Sequence, residues 1–218
     1  MKIAFVLFTY KRINTLKRVL KSYNIPNGLD CYCFIDYSEK QEEVASLVGK
    51  YGFNIIRREV NYGLNKNIVS GINEVFDMGY DALVISEDDI LFGQDAFYYL
   101  INGLITLKND PYCGSVTLSR DMEFNDKFYC WGYGIWKDRW EKHIYVENGI
   151  THDIQLDEFH RRNKLYCYCS QVRRNFHIGV VGEHYSWHSR FGVRPILRKL
   201  YKNLRRYDIY FRALLPRT

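Results

Sequence analysis

The chain has 218 residues, 47% hydrophobic and 26% charged, with a formal net charge of +6. That length holds one large core, the balance excludes a disordered or fibrous chain, and no apolar run reaches the ~18 residues of a membrane span. The positive charge is local: residues 190–218 carry nine Lys and Arg against a single acid, Asp208. Met1 to Phe8 is too short for a signal peptide and ends in Thr9-Tyr10-Lys11-Arg12, with no small-residue cleavage site, which predicts a cytoplasmic protein.

The first hundred residues alternate strand and helix. Ile3 to Phe8 reads as a first strand, followed by a helix with Asn14 at its N-cap and an apolar stripe of Ile13, Leu16, Val19, Leu20 and Tyr23. Cys31 to Ile35 is a second strand. Ser38 and Gln41 form a capping-box pattern before Val44, Leu47, Val48 and Tyr51 at helical spacing. Phe53 to Ile56 is a third strand, and the next helix carries Ile68, Ile72, Val75 and Phe76, with Gly79 at its end. Ala82 to Ile85 reads as a fourth strand buried on both faces, and Asp95 caps a helix holding Tyr98, Ile101, Leu104 and Ile105. Beyond residue 110, strand-like runs occur at Cys113–Leu118 and Lys127–Trp131. Trp131-Gly-Tyr-Gly-Ile-Trp-Lys-Asp-Arg-Trp140 reads either as a bend laying rings along a surface or as core packing. The series predicts an α/β fold, a mostly parallel sheet flanked by helices. A dinucleotide site and a P-loop are both excluded, because neither glycine pattern is present.

The fourth strand runs into Glu87, Asp88 and Asp89. Open α/β sheets place ligands at the C-terminal ends of their strands. Carboxylates crowded there repel unless a cation lies among them, so the triplet reads as a divalent-metal site facing a phosphate-bearing substrate. The alternative is a solvated turn with Asp88 or Asp89 capping the next helix.

Taken in order, these features resemble the GT-A glycosyltransferases, particularly bacterial family-2-like enzymes and the N-acetylglucosaminyltransferase I type. Glu87-Asp88-Asp89 is similar to the family's Asp-x-Asp motif, in which the last acid, here Asp89, ligates the metal directly. Phe8-Thr9-Tyr10-Lys11-Arg12 resembles the opening nucleotide loop, and Asp36 the acid that contacts uracil or ribose. Asn61-Tyr-Gly63-Leu-Asn-Lys66-Asn67, followed by Gly71, is similar to the segment lining the nucleotide site, and the Trp131 segment to the acceptor-side motif. The resemblance implies a GT-A domain over residues 1–190, with a nucleotide-sugar half (1–110) and an acceptor half (111–190). It implies a metal-dependent, inverting transfer of a hexosyl or N-acetylhexosaminyl group from a nucleotide-sugar, expected to be UDP-linked, to a glycan or lipid-linked glycan hydroxyl. Mn²⁺ or Mg²⁺ is the expected cofactor, held by Asp89 with Asp88 and Glu87. Thr9, Tyr10, Arg12 and Lys66 add hydrogen bonds or charge at the nucleotide.

The acceptor hydroxyl needs a base, and Asp153 is the first candidate. It lies in His152-Asp-Ile-Gln-Leu156, similar to a Trp-Asp-x-Gln segment of related sugar transferases but with His152 in place of Trp. A helix N-cap is the structural alternative, and Asp157, Glu183 and Asp138 are competitors. His184 and His188 are candidates for the diphosphate or the metal shell.

Residues 191–218 form a separate basic segment. Ile196, Leu197, Leu200, Tyr201 and Leu204 share one helical face opposite cations, which suits an anionic membrane surface along 191–212 and a peripheral position on its inner face. A helix packed on its own domain is the alternative. Two other functions remain in view: an inactive nucleotide-sugar or carbohydrate-binding protein, and nucleic-acid binding through the tail, which no fold motif supports and which is not expected. A nucleotidyltransferase ranks below these, since its glycine-rich opening loop is missing. The pairs Cys31/Cys33 and Cys167/Cys169 read as reduced core residues rather than zinc ligands.

Overall fold

The computed structural model describes residues 1–120, 128–170 and 172–179. Met1–Ile178 is one compact unit; a second unit spans Gly179–Thr218. The basic tail, Glu183, His184 and His188 lie outside the described residues.

The first part of the chain runs β1 (Ile3–Thr9), α1 (Ile13–Ser22), β2 (Asp30–Ile35), α2 (Gln41–Gly49), β3 (Asn54–Arg57), α3 (Leu64–Asp77) and β4 (Ala82–Glu87). It continues with β5 (Ile90–Phe92), α4 (Ala96–Thr106), β6 (Cys113–Arg120), β7 (Tyr133–Trp136), α5 (Lys137–Trp140), α6 (His152–Arg162), β8 (Tyr166–Ser170) and β9 (Asn175–His177). Seven strands form one sheet in the order β3-β2-β1-β4-β7-β6-β8, and β5 pairs with β9 in a small antiparallel ribbon. The sheet is mostly parallel, as the alternation predicts; β7 runs antiparallel to both its neighbours.

The apolar strands are explained by burial on both faces. In β1, Phe5 and Leu7 pack with Leu16 and Leu20 of α1, Val44 and Val48 of α2, and Phe97 and Leu100 of α4. Ala4, Val6 and Phe8 point the other way, to Ile68, Ile72, Val75 and Phe76 of α3 and Leu156 of α6. Three of the four cysteines expected in the core, Cys31, Cys33 and Cys167, are buried and Cys169 is half-buried; no disulfide joins any of the six, and burial pushes the Cys31 and Cys33 thiols up to about 12.

Three local expectations give way to tertiary contacts. Helix α1 begins at Ile13 with Arg12, not Asn14, at the N-cap position and no side-chain cap bond. The Ser38–Gln41 capping box does not form. Gln41 Nε2 instead donates to Ile35 O (3.2 Å) and Arg58 O (2.9 Å), tying the ends of β2 and β3 together. The strand expected over 127–131 lies instead at Tyr133–Trp136, wedged between β4 and β6. That position buries the Trp-rich segment. Trp136 and Trp140 are core side chains whose indole N–H groups donate to Leu104 O and Asn73 Oδ1, and Trp131 alone of the three is exposed.

Gly71 sets how closely α3 lies on the sheet. A Cβ there would sit 2.6 Å from Phe8 Cε1 and 3.0 Å from Phe34 Cγ, two stacked rings with no room to retreat. Gly71→Ala is expected to cost about 1–3 kcal/mol through overpacking. Urea unfolding should show a lower midpoint with an unchanged slope.

Candidate functional site

The register of three parallel strands builds the site. Phe8 of β1 is aligned with Phe34 of β2 on one side and Glu87 of β4 on the other. The chain therefore leaves the sheet at Thr9–Arg12, Asp36–Ser38 and Asp88–Asp89 along one edge, with side chains from all three exits within reach of each other.

Arg12 bridges the acids. Its Nη1 donates to Asp89 Oδ2 at 2.8 Å, and its Nη2 donates to Asp88 Oδ1. The backbone N–H of Tyr10 donates to the other Asp88 oxygen at 3.2 Å. Both acids are buried and Arg12 is partly exposed. Burial, reinforced by Asp89 and Asp88, pushes the Glu87 carboxyl up to about 8. Burial raises Asp88 to about 6 against the pull of Arg12. Burial also opposes charge on Asp89, but His177 and Arg12 outweigh it and hold Asp89 below the usual carboxylate range. Arg12 and His177 together thus hold one charge and leave the other two carboxyls short of compensation.

His177 was not singled out by sequence. Its Nε2 lies 3.2 Å from Asp89 Oδ2, and its ring stacks on the exposed Trp131, 5.2 Å apart and 20° from parallel. The β5–β9 pairing sets it there: Ile90 is aligned with His177, and the Ile178 N–H donates to Asp89 O at 2.8 Å. Asn175 holds the other side, donating to Ser119 Oγ and Trp131 O. The usable signal lay in Asn175-Phe-His177, a polar-apolar-polar strand pattern.

Asp36 organises the loop that leads into α3. Its two oxygens accept from the N–H groups of Tyr62 (2.8 Å) and Gly63 (2.9 Å), and Oδ1 also from Tyr37 (2.9 Å). Gly63, at φ +73, is the N-cap of α3, a backbone shape that glycine adopts without strain. Asn61 reaches across to the Tyr10 hydroxyl at 2.9 Å, joining the two loops. Lys66 is exposed above the Tyr62 ring. Asn67 is buried beneath, its Oδ1 taken by Arg58. Arg58, a residue the sequence reading did not single out, is nearly fully buried between Phe34 and Tyr62 and also holds Glu74 and Ser70. The Thr9 hydroxyl turns inward to Phe34 O and Cys33 Sγ.

Asp153 lies in the first turn of α6, after an N-cap at Thr151, so it is not itself the cap. Its Oδ2 is 3.7 Å from Cys130 Sγ, and its charge raises Glu87, placing it on the acidic side of the site. Its described competitors are occupied or remote. Asp157 accepts from Phe128 N–H and pairs with Arg161. Asp138 follows Trp136, which is aligned with Ala82 at the opposite edge of the sheet. Among the described residues no three His, Cys, Asp or Glu side chains converge on one point as a ready metal cage. The donors nearest each other are the Asp88 and Asp89 carboxylates and the His177 imidazole, with a guanidinium standing between the acids as a cation.

No family model matches the sequence, and no curated protein does so. Solved structures do resemble the fold. A mannosyltransferase from Pyrobaculum calidifontis, in complex with GDP-Man and Mn²⁺, superposes with TM-score 0.60 at 11% identity over 78% of this chain and 54% of that one. A cytidylyltransferase from Leptospira borgpetersenii gives TM-score 0.58 at 11% identity, over 80% and 77%. A putative nucleotide-diphospho-sugar transferase from Desulfovibrio desulfuricans gives 0.55 at 13%, over 94% and 98%. The chain spans about half the length of that mannosyltransferase. The fold is that of the nucleotide-diphospho-sugar transferases, the GT-A fold.

Under Asp153 lies an unusual support. His143, His152 and His160 are all buried around α6, and neither ring nitrogen of His143 has a partner. Burial pushes His143 and His152 down to about 4 from 6.5 and lowers His160 as well. The unfolded chain takes up the His143 and His152 protons near 6.5 and the folded chain only near 4, so stability falls as pH drops through that window. Melting temperature is expected to decline steeply between pH 6.5 and 4. His143→Phe, which keeps an aromatic ring against Trp140 and Phe159 where the imidazole meets the first tilted and the second edge-on, should flatten the curve; an unchanged curve would remove His143 from the account.

Proposed function

We propose that the protein is a divalent-metal-dependent glycosyltransferase that moves a sugar from a nucleotide-sugar to an acceptor hydroxyl. The observation that supports this most directly is the set of acids at the exit of β4, facing the loops after β1 and β2 and bridged by a cationic side chain. Asp89 and Asp88 would hold the ion, with His177 beside Asp89. Two carboxylates and an imidazole suit Mn²⁺ or Mg²⁺, with diphosphate oxygens as the natural complement. Bound there, the ion would neutralise charge on the departing nucleoside diphosphate.

The loop shaped by Asp36, Tyr62 and Gly63 would receive the nucleoside, with Tyr10, Asn61 and Lys66 at its rim. Trp131, stacked on His177, offers an exposed aromatic face for a sugar ring. In the reaction the anomeric carbon–phosphate oxygen bond breaks as the acceptor oxygen bonds to that carbon. Asp153 takes the acceptor's proton, and a single displacement inverts the anomeric centre. The donor is proposed to be UDP-linked, and the acceptor a glycan or lipid-linked glycan at the inner face of a membrane. The described residues contain no helix long and apolar enough to cross a bilayer.

A nucleotidyltransferase is the second reading, because a cytidylyltransferase shares the fold. The opening loop argues against it: Tyr10-Lys11-Arg12 offers side chains where a glycine-rich loop would offer bare backbone.

Screening UDP- and GDP-sugars for Mn²⁺-dependent hydrolysis and thermal stabilisation tests the assignment. Asp89→Asn is expected to lower turnover on the order of 10²-fold or more, equivalent to several kcal/mol of lost charge stabilisation. Full activity in excess EDTA would refute the metal requirement. Pyrophosphate release from a nucleoside triphosphate and a sugar phosphate would instead favour the nucleotidyltransferase. Asp153→Asn should reduce kcat by roughly 10²–10⁴-fold with donor binding unchanged; normal turnover in that variant would move the base elsewhere.

A further inference from the structure

We propose that Arg12 is a gate for the divalent cation: it holds the Asp88–Asp89 pair in the cation-free protein and must release it before an ion binds, passing to the diphosphate of the nucleotide. This rests on the metal site proposed above.

The gate follows from shared atoms. Arg12 bonds Asp89 Oδ2 and Asp88 Oδ1, so one oxygen of each acid that would bind the ion is already engaged. His177 also meets Asp89 Oδ2, but an imidazole can turn a lone pair to a metal and a guanidinium has none. Of the two groups on that oxygen, only Arg12 has to leave. A guanidinium and a divalent ion on the same carboxylate pair would also repel at close range.

The surroundings suit a side chain that moves while its partners stay. Arg12 sits just outside α1, at φ −90° and ψ 67°, and its side chain is 30% exposed. Asp88 keeps the Tyr10 N–H bond on its other oxygen, and Asp89 keeps the Ile178 N–H bond on its carbonyl. The acids therefore remain in place when the guanidinium withdraws. Its planar fork then finds an equivalent anion in a diphosphate, which it can grip through two oxygens. Cation and nucleotide then bind cooperatively: the ion expels Arg12 and the diphosphate receives it. The coupling is reciprocal, so either ligand tightens the other.

Titration of the free-Mn²⁺ electron paramagnetic resonance signal tests this without turnover. With no nucleotide present, Arg12→Gln is expected to bind Mn²⁺ about tenfold more tightly than the wild type, within the usual range of coupling between sites. UDP should tighten Mn²⁺ binding in both proteins, and by a larger factor in the wild type than in Arg12→Gln. Arg12→Lys keeps the charge but loses the fork, and should fall between the two; it carries the comparison if circular dichroism shows that Arg12→Gln is unfolded. Equal or weaker Mn²⁺ binding by the folded variants overturns the gate and leaves the metal site standing. Absence of Mn²⁺ binding in every protein, with and without UDP, overturns the metal site and the gate together.

Discussion

Mutual repulsion among Glu87, Asp88 and Asp89 is the constraint on which the rest of the structure turns. A buried strand delivers all three to one point, where burial alone would neutralise them. The fold answers with donors from distant parts of the chain: the Arg12 fork, the Tyr10 amide, the His177 ring and the Ile178 amide. These are also the contacts that join β1, β4 and β9 into one site. The residual cost remains in Glu87, whose carboxyl burial and the two neighbouring acids push up to about 8. A site that still lacks positive charge after recruiting an arginine and a histidine is suited to a further cation.

A second clamp works on the neighbouring loop by the same logic in reverse. Asp36 is a buried carboxylate satisfied almost wholly by backbone N–H groups. It fixes the entry to α3, and Arg58 fixes that helix from beneath by bonding Asn67, Ser70 and Glu74. The residues around these two loops therefore divide by depth. Asn67 and the Thr9 hydroxyl belong to the scaffold, while Tyr10, Asn61 and Lys66 remain at the surface of the site.

Much of this was legible in the sequence where the signal was local. Apolar runs of four to six residues ending in polar turns marked β1, β2 and β4, and the crowded acids marked the site at the last of them. Local signals failed where a distant partner outbid them. Asn14 has the chemistry of an N-cap, but Arg12 is drawn to the acids and the helix begins beside it. The Trp-rich segment has the composition of a surface platform, but β7 is inserted between two strands, which buries Trp136 and leaves only Trp131 outside. The strand pattern at Asn175-Phe-His177 was visible, but the role of His177 was not, because it comes from a three-residue pairing with β5. Arg58 was hidden because charge suggests exposure, and only the fold shows the ring-lined slot that accepts it.

The β5–β9 ribbon has a consequence for how the protein acquires its site. The acids emerge with the first half of the chain, yet His177 and the amide that fixes Asp89 come from its far end. Contacts so remote in sequence form late, because the loop-closure entropy of the intervening chain must first be overcome. During synthesis the parallel half can collapse around its apolar strands while the carboxylates still lack their last partners. Assembly of the acid cluster with its partners should therefore lag behind the appearance of the core, and the ribbon is the step at which a folded domain becomes a finished site.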